Sequence, residues 1–384
     1  MRELDAIVLA FDHARASQID CVLATVVHVE GSSYRKAGAR MLIDEYGQMT
    51  GAISGGCLEG DALRKALHAL HQRKNKLITY DTSDESDAVI GAQLGCNGVI
   101  EVLFEPIDPT DSDNPIELLR QVIHSTEQQV IISLFDLNKS NSQIGTKLVI
   151  DQSIKCIGNL KNDALKQWML AETSLVFHQQ HSHYGAFPTD DGQQTIFFQL
   201  HHPPPHLVLV GAGNDTQILA SMAEQLGWKV TVTDGRPSHA NASRFSNSCQ
   251  VIVSKPEHVL EEVALDERTF FVLISHNYQY DLEVLKLLYD KLEVPYIGIL
   301  GPKAKYNRML GDLEVIGIEF TEAQSKRIHA PVGLNIGADT PAEIALSILA
   351  EIQAELTNTD SQRLRDKDGP IHEKPINGIK ATSL

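Results

Sequence analysis

At 384 residues the chain is long enough for two or three domains, each with a full core. Hydrophobic residues make up 42% and charged residues 22%, the balance of a soluble globular protein, and 33 basic against 50 acidic residues leave a formal charge of -17. So acidic a surface repels polyanions, which excludes a general nucleic-acid or anionic-membrane face and leaves any anionic ligand to local backbone dipoles and a few basic side chains.

Met1 opens directly into an amphipathic helix carrying Leu4, Ile7, Val8 and Phe11. With no apolar signal-peptide core and no membrane-length apolar run, the expectation is a cytoplasmic protein. The five cysteines, at 21, 57, 96, 156 and 249, are widely spaced and form no Cys-x-x-Cys pair. This argues against a disulfide framework or a structural zinc site and for a reducing compartment.

The short β-branched run from Cys21 to Val29 predicts a buried strand. A polar loop, Glu30 to Gly38, carries Arg35 and Lys36, and Arg40 to Asp44 is a second strand. Arginine suits bidentate contact with phosphate or carboxylate, so Arg35 and Arg40 are candidate anion clamps, although a solvated loop charge is the commoner role. Then comes Gly51-Ala-Ile-Ser-Gly-Gly-Cys-Leu-Glu-Gly-Asp61, leading into an amphipathic run from Leu58 to Leu70. Glycines let backbone amides approach a bound group closely, and the helix N-terminus beyond them favours an anion and a thiolate. Ser54, Gly55, Gly56, Cys57 and Glu59 therefore form a candidate cradle for a phosphate-bearing or metal-bearing ligand. A tight strand-to-helix turn with a merely buried cysteine fits the same pattern.

Leu77 to Asp81 reads as another strand, followed by an acidic loop. Leu94-Gly-Cys-Asn-Gly98 holds a second thiol, Cys96, between glycines ahead of the strand Val99 to Phe104. Cys57 and Cys96 are candidate soft ligands for a transition metal. Residues 1–106 are thus a first domain, and 107–200 its antiparallel extension, with a helix at 116–124 and strands at 129–135, 147–151 and 195–200. His178, His181, His183, His201, His202 and His206 cluster in this part of the sequence, but without a carboxylate pattern they make a weak metal motif.

His201-His-Pro-Pro-Pro205 is a stiff boundary. The domain assigned to 206–356 starts with an apolar strand, Leu207 to Val210, which feeds Gly211-Ala-Gly213, a helix from 217 to 226, and a second strand ending at Asp234. This is the βαβ setting of a dinucleotide-binding fingerprint, with Thr216 in place of the third glycine and Asp234 placed for a ribose hydroxyl. Apolar strands at 250–253, 269–275 and 296–300 continue the alternation and bring His276 and Lys303 to carboxyl ends, where such sheets place ligands. Thr340, Pro341 and Glu343 make a capping box, and residues 357–384 read as a disordered tail.

Several segments together resemble one family, the XdhC/CoxI proteins known as xanthine dehydrogenase accessory factors. They are Gly31-Ser-Ser-Tyr-Arg35, Gly38 to Ile43, Gly51 to Gly60, Leu94 to Gly98, Val210 to Gly213, Asp234-Gly-Arg-Pro237, Tyr296 to Gly301, and Arg327-Ile-His-Ala-Pro-Val-Gly-Leu-Asn-Ile-Gly-Ala338. Departures are Tyr34 for the family's usual proline, Asn97 for glycine and Asn214 for a frequent histidine. The resemblance implies an α/β protein, with an N-terminal α+β XdhC/CoxI-type domain and a C-terminal Rossmann-like parallel-sheet domain. It also implies a chaperone that binds molybdenum cofactor (molybdopterin) and delivers it to a molybdenum hydroxylase client such as xanthine dehydrogenase, with a cysteine desulfurase as a further partner and a homo-oligomeric state. Gly211, Gly213, Asp234, Arg236, His276 and Lys303 are the candidates for NAD(P), another nucleotide, or the dinucleotide form of the cofactor. The rival expectation is an NAD(P)-dependent oxidoreductase, in which Arg236 meets a 2'-phosphate; a scaffold that docks partners without a ligand is the third.

Overall fold

β-Branched and aromatic runs set the strands of the N-terminal half. The computed structural model describes residues 3–31, 33–81, 98–138, 142–189 and 192–368. In it β1 (Cys21–Gly31) lies between β2 (Arg40–Asp44) and β5 (Gly98–Pro106), with β3 (Met49–Gly51) and β4 (Lys76–Asp81) at the edges. A second sheet, in the order β8-β7-β6-β10-β9, is built from β6 (Gln129–Phe135), β7 (Gly145–Asp151), β8 (Cys156–Gly158), β9 (His183–Thr189) and β10 (Gly192–His201). Every pairing in both sheets is antiparallel.

Successive side chains on a strand point to opposite faces. From β1, Val22, Ala24 and Val26 pack on the Ala62, Ala66 and Ala69 stripe of α2 (Glu59–Gln72). Leu23, on the other face, meets α1 (Glu3–Ala16), α3 (Pro115–His124), and Ile131 and Val149 of the second sheet. Val27, Leu77 and Leu103 meet Phe135, Tyr184 and Phe197, which closes the space between the two sheets. The outer face of the second sheet is covered by α4 (Asp163–Gln179) through Leu165, Met169 and Val176, with Trp168 packed alongside. These residues therefore form four layers, helix, sheet, sheet and helix.

Residues 3–203 form this unit, and 204–367 form another. The second contains β11 (His206–Val210), β12 (Lys229–Asp234), β13 (Gln250–Val253), β14 (Thr269–Leu273), β15 (Tyr296–Ile299) and β16 (Ile328–His329), all parallel, in the order β13-β12-β11-β14-β15-β16. The strand order thus reverses between β11 and β14, the doubly wound arrangement of dinucleotide-binding domains. On one face lie α5 (Asn214–Gln225) and α9 (Pro341–Thr357), with Trp228 in their core; on the other lie α6 (Tyr278–Leu288) and α7 (Lys303–Val315). The expected fold class is the one observed, a mixed α/β chain with an antiparallel N-terminal part and a parallel C-terminal sheet.

Candidate functional site

The Gly-Gly-Cys turn bridges β3 and α2. At Gly51 φ is +87°, and a Cβ would stand 2.4 Å from the Arg40 carbonyl oxygen, so only glycine lets β3 lie against β2 here. Beyond it, Ser54 donates from its backbone N (2.9 Å) and its Oγ (2.5 Å) to the Glu59 carboxylate. The Leu58 amide donates to Glu59 Oε2 and to Ser54 Oγ, both at 3.1 Å, and the Gly56 amide donates to Ser54 Oγ at 3.2 Å. Burial alone would raise the Glu59 carboxyl, but the bonds from Ser54 and Leu58 outweigh it and hold it below its ordinary value. The turn's own carboxylate thus occupies the Ser54 amide of the expected anion cradle and the adjacent Leu58 amide. Gly55 and Gly56 stay exposed, and Cys57 is half-buried with Sγ 3.5 Å from Ser54 Oγ.

The basic loop meets this turn. A Cβ on Gly55 would lie 3.3 Å from the Tyr34 ring, so the aromatic side chain rests on the glycine and joins the two segments into one surface. Arg35 makes an ion pair with Glu3, and Lys36 is exposed. Arg40 lies elsewhere. It is 1% exposed, its Nη1 donates to the Gly38 carbonyl at 2.9 Å, and its Nε and Nη2 are buried without a partner. Burial pulls its pKa down to about 10, against the attraction of Glu105 and Glu3. Cys96, the second candidate soft ligand, lies outside the described residues.

Beside the loop is a cavity of about 300 Å³ that reaches β9 and β10 of the second sheet. Tyr184, Phe197 and Leu200 wall it, and Arg35, Lys36, His181 and His202 line it. Tyr184 stacks on Phe197 with ring centroids 5.0 Å apart, and its hydroxyl is buried with no hydrogen-bond partner, a cost of about 1–3 kcal/mol until a partner arrives. The histidines do not form the loop motif that their spacing suggests. His178 ends α4, and His183 opens β9 with Nε2 3.2 Å from Glu172. His206 is buried at the start of β11 with Nε2 2.8 Å from Thr231 Oγ1. Regular structure thus separates His178, His183 and His206, while His181 and His202 line the cavity, and no group of three metal-binding side chains occurs among the described residues.

In the second unit the Gly-x-Gly turn sits where the strand order reverses. Gly211 has φ +124°, and a Cβ there would meet Ser275 Cα at 2.4 Å, so glycine alone allows β11 to approach the end of β14. Gly213 is the N-cap of α5, and Thr216, where a third glycine would stand, is fully buried in that helix. Across the turn, His276 Nε2 lies 2.7 Å from Asp215 Oδ2. Asp234 is 3% exposed and already engaged: it accepts from the Ala212 amide at 2.9 Å and from Arg236 Nε and Nη2 at 2.9 and 2.7 Å. Burial works to raise its pKa, yet Arg236 and the amides hold it below the ordinary carboxylate value. Lys303 is exposed at the start of α7. Sequence spacing does not point to the neighbouring pair: Lys305 Nζ, 2.7 Å from the fully buried Asp281, which also accepts from Ser275 Oγ at 2.5 Å. Nor does it point to Arg244, which donates to the Ala212 carbonyl at 2.6 Å and to Asn214 Oδ1 at 2.9 Å. These partners are far apart in sequence, and no fixed offset announces them.

Residues 14–81 match the model of the XdhC and CoxI family, and residues 207–352 match that of the XdhC Rossmann domain. A Bacillus subtilis (strain 168) protein described as a probable subunit of xanthine dehydrogenase is 33% identical over 335 residues, covering 87% of this chain and 93% of its own. An Escherichia coli (strain K12) protein described as the molybdenum cofactor insertion chaperone PaoD is 24% identical over 331 residues, covering 86% and 82%. A crystal structure from Bacillus halodurans, described as a xanthine dehydrogenase, superposes with a TM-score of 0.75 at 28% identity, covering 94% of this chain and 97% of that one.

Proposed function

The chain belongs to the XdhC and CoxI family, and from that premise we propose that it binds molybdenum cofactor as cargo and helps to deliver it to a xanthine dehydrogenase-type molybdenum hydroxylase. The observation that carries this reading is the contact of Tyr34 with Gly55, which makes one exposed surface of the basic loop, the two glycines and the half-buried Cys57 thiol. Such a surface suits the cargo. Lys36 and Arg35 offer positive charge to its phosphate, the Gly55 and Gly56 backbone admits close approach, and Cys57 offers a soft donor to its metal end. The orphaned Tyr184 hydroxyl next to this surface is a donor lacking an acceptor, as expected of a wall that meets a polar heterocycle.

The molybdenum centre supplies redox and oxygen-transfer chemistry in the client, and this chain's residues hold and orient the cargo. In the same reading, Gly211, Gly213 and the start of α5 receive a nucleotide, either NAD(P) or the nucleotide half of a dinucleotide cargo, by amide donation to its phosphates. Arg236 is half-exposed and would turn from Asp234 to the ligand. Sulfuration by a cysteine desulfurase and homo-oligomerisation belong to this proposal too.

The test is anaerobic purification from cells that make the cofactor, with metal analysis for molybdenum and chromatography of the released pterin. Near-stoichiometric molybdenum and pterin are expected, together with activation of cofactor-free xanthine dehydrogenase by the loaded protein. Turnover of a small substrate with NAD(P) and no bound pterin would establish the oxidoreductase instead.

A further inference from the structure

We propose that the cavity between the basic loop and strands β9 and β10 is a binding site for a flat heteroaromatic group bearing an anionic substituent, the pterin of the cargo with its phosphate. The inference rests on the cargo reading above and deepens it by placing recognition between the basic loop and the second sheet, beside the Gly-Gly-Cys turn and not on its amides. Three observations converge there. The volume, about 300 Å³, fits a two-ring heterocycle. The wall is aromatic and apolar: Tyr184 and Phe197, stacked on each other at 5.0 Å and 6% and 1% exposed, form a rigid backing, and Leu200 joins them. Its cationic and imidazole lining, Arg35, Lys36, His181 and His202, gathers basic groups in a chain whose formal charge is -17.

The Tyr184 hydroxyl adds directionality. Tyr184 lines the cavity and is only 6% exposed, and its hydroxyl is buried in that wall with no hydrogen bond, so a ring nitrogen or carbonyl of a heterocycle that enters against the wall would satisfy it. Arg35 is balanced by Glu3, which leaves Lys36 as the exposed cation facing an anionic substituent. By contrast, the Gly-Gly-Cys turn has its own carboxylate, Glu59, on the Ser54 and Leu58 amides, so charge recognition falls to the neighbouring cavity. Two of the histidines that look like scattered metal ligands in the sequence thus line one recess.

Isothermal titration of the full-length protein with pterin-6-carboxylate is the direct test. Saturable binding is expected, weakened about tenfold by Tyr184→Phe, the scale of one lost hydrogen bond. Lys36→Ala should weaken it by a similar factor, and should cost unsubstituted pterin, which lacks the carboxylate, much less. Lys65→Ala, on the exposed face of α2, should bind as wild type does. No heat of binding in the wild type, or wild-type affinity in both Tyr184→Phe and Lys36→Ala, overturns the site. If the protein carries molybdenum and pterin yet the two variants carry just as much, the cavity is wrong and the cargo reading stands. If it binds pterin-6-carboxylate but never carries molybdenum, the cargo reading fails and the cavity stands as a site for another anionic heterocycle.

Discussion

Glu59 shows how one side chain changes the meaning of a motif. Three glycines before a helix suggest an open anion seat, but the seat faces a carboxylate five residues from Ser54, and that carboxylate accepts from two amides and a hydroxyl. Its lowered pKa means that the ionised form stabilises the fold above the ordinary value of 4.5, and that this stability is lost as pH falls through the folded value. Glu59→Gln should therefore lower stability at pH 7 by about 1–2 kcal/mol in urea unfolding, the usual worth of charge-assisted bonds. The difference should shrink as pH falls from 4.5 through the lower folded value; an undiminished gap in acid would show that packing, not charge, sets the effect. The glycines, Cys57 and Arg35 are legible as a group because they are close in sequence. Tyr184 is not, since it reaches Arg35's cavity only through the packing of two sheets, about 150 positions later.

Elements are legible where periodicity is strong. The strands β11 to β15 are short, apolar and bounded by turns, and Thr340 caps α9 through the Glu343 box that the sequence announces. α4 escapes a reading of the sequence because its buried stripe includes Thr173, while Leu175 on the opposite side is exposed, which blurs the contrast between faces. α7 buries only Met309 and Leu313 in a polar run, too little to stand out. At β11 the first residue carries its own titration. Burial, helped by Lys229 and opposed by Asp266, lowers His206 from 6.5 to about 4. Folding then favours the neutral ring, so stability is present above pH 6.5 and is lost as pH falls towards 4. Between pH 7 and pH 5 the loss should be about 2 kcal/mol. Scanning calorimetry should show an endotherm moving down over that interval and moving less in His206→Gln, which can still bond Thr231; equal displacement in both proteins would remove His206 as the cause.

The change from antiparallel to parallel pairing, and the proline run near 203, make the two-part organisation of the whole chain readable. What no pattern could supply is the face-to-face packing of the two N-terminal sheets, because alternation tells which residues are buried and not against what. Each unit has its own core, and each core has one of the chain's two indoles, Trp168 among the β10 aromatics and Trp228 beneath α9. The protein therefore comes with a two-channel emission probe built in. Trp168→Phe leaves a spectrum that reports only residues 204–367, and Trp228→Phe one that reports only 3–203. Followed by intrinsic fluorescence in urea, the two variants should give separate midpoints, and coincident curves at every pH would mean that the halves melt as a single cooperative body.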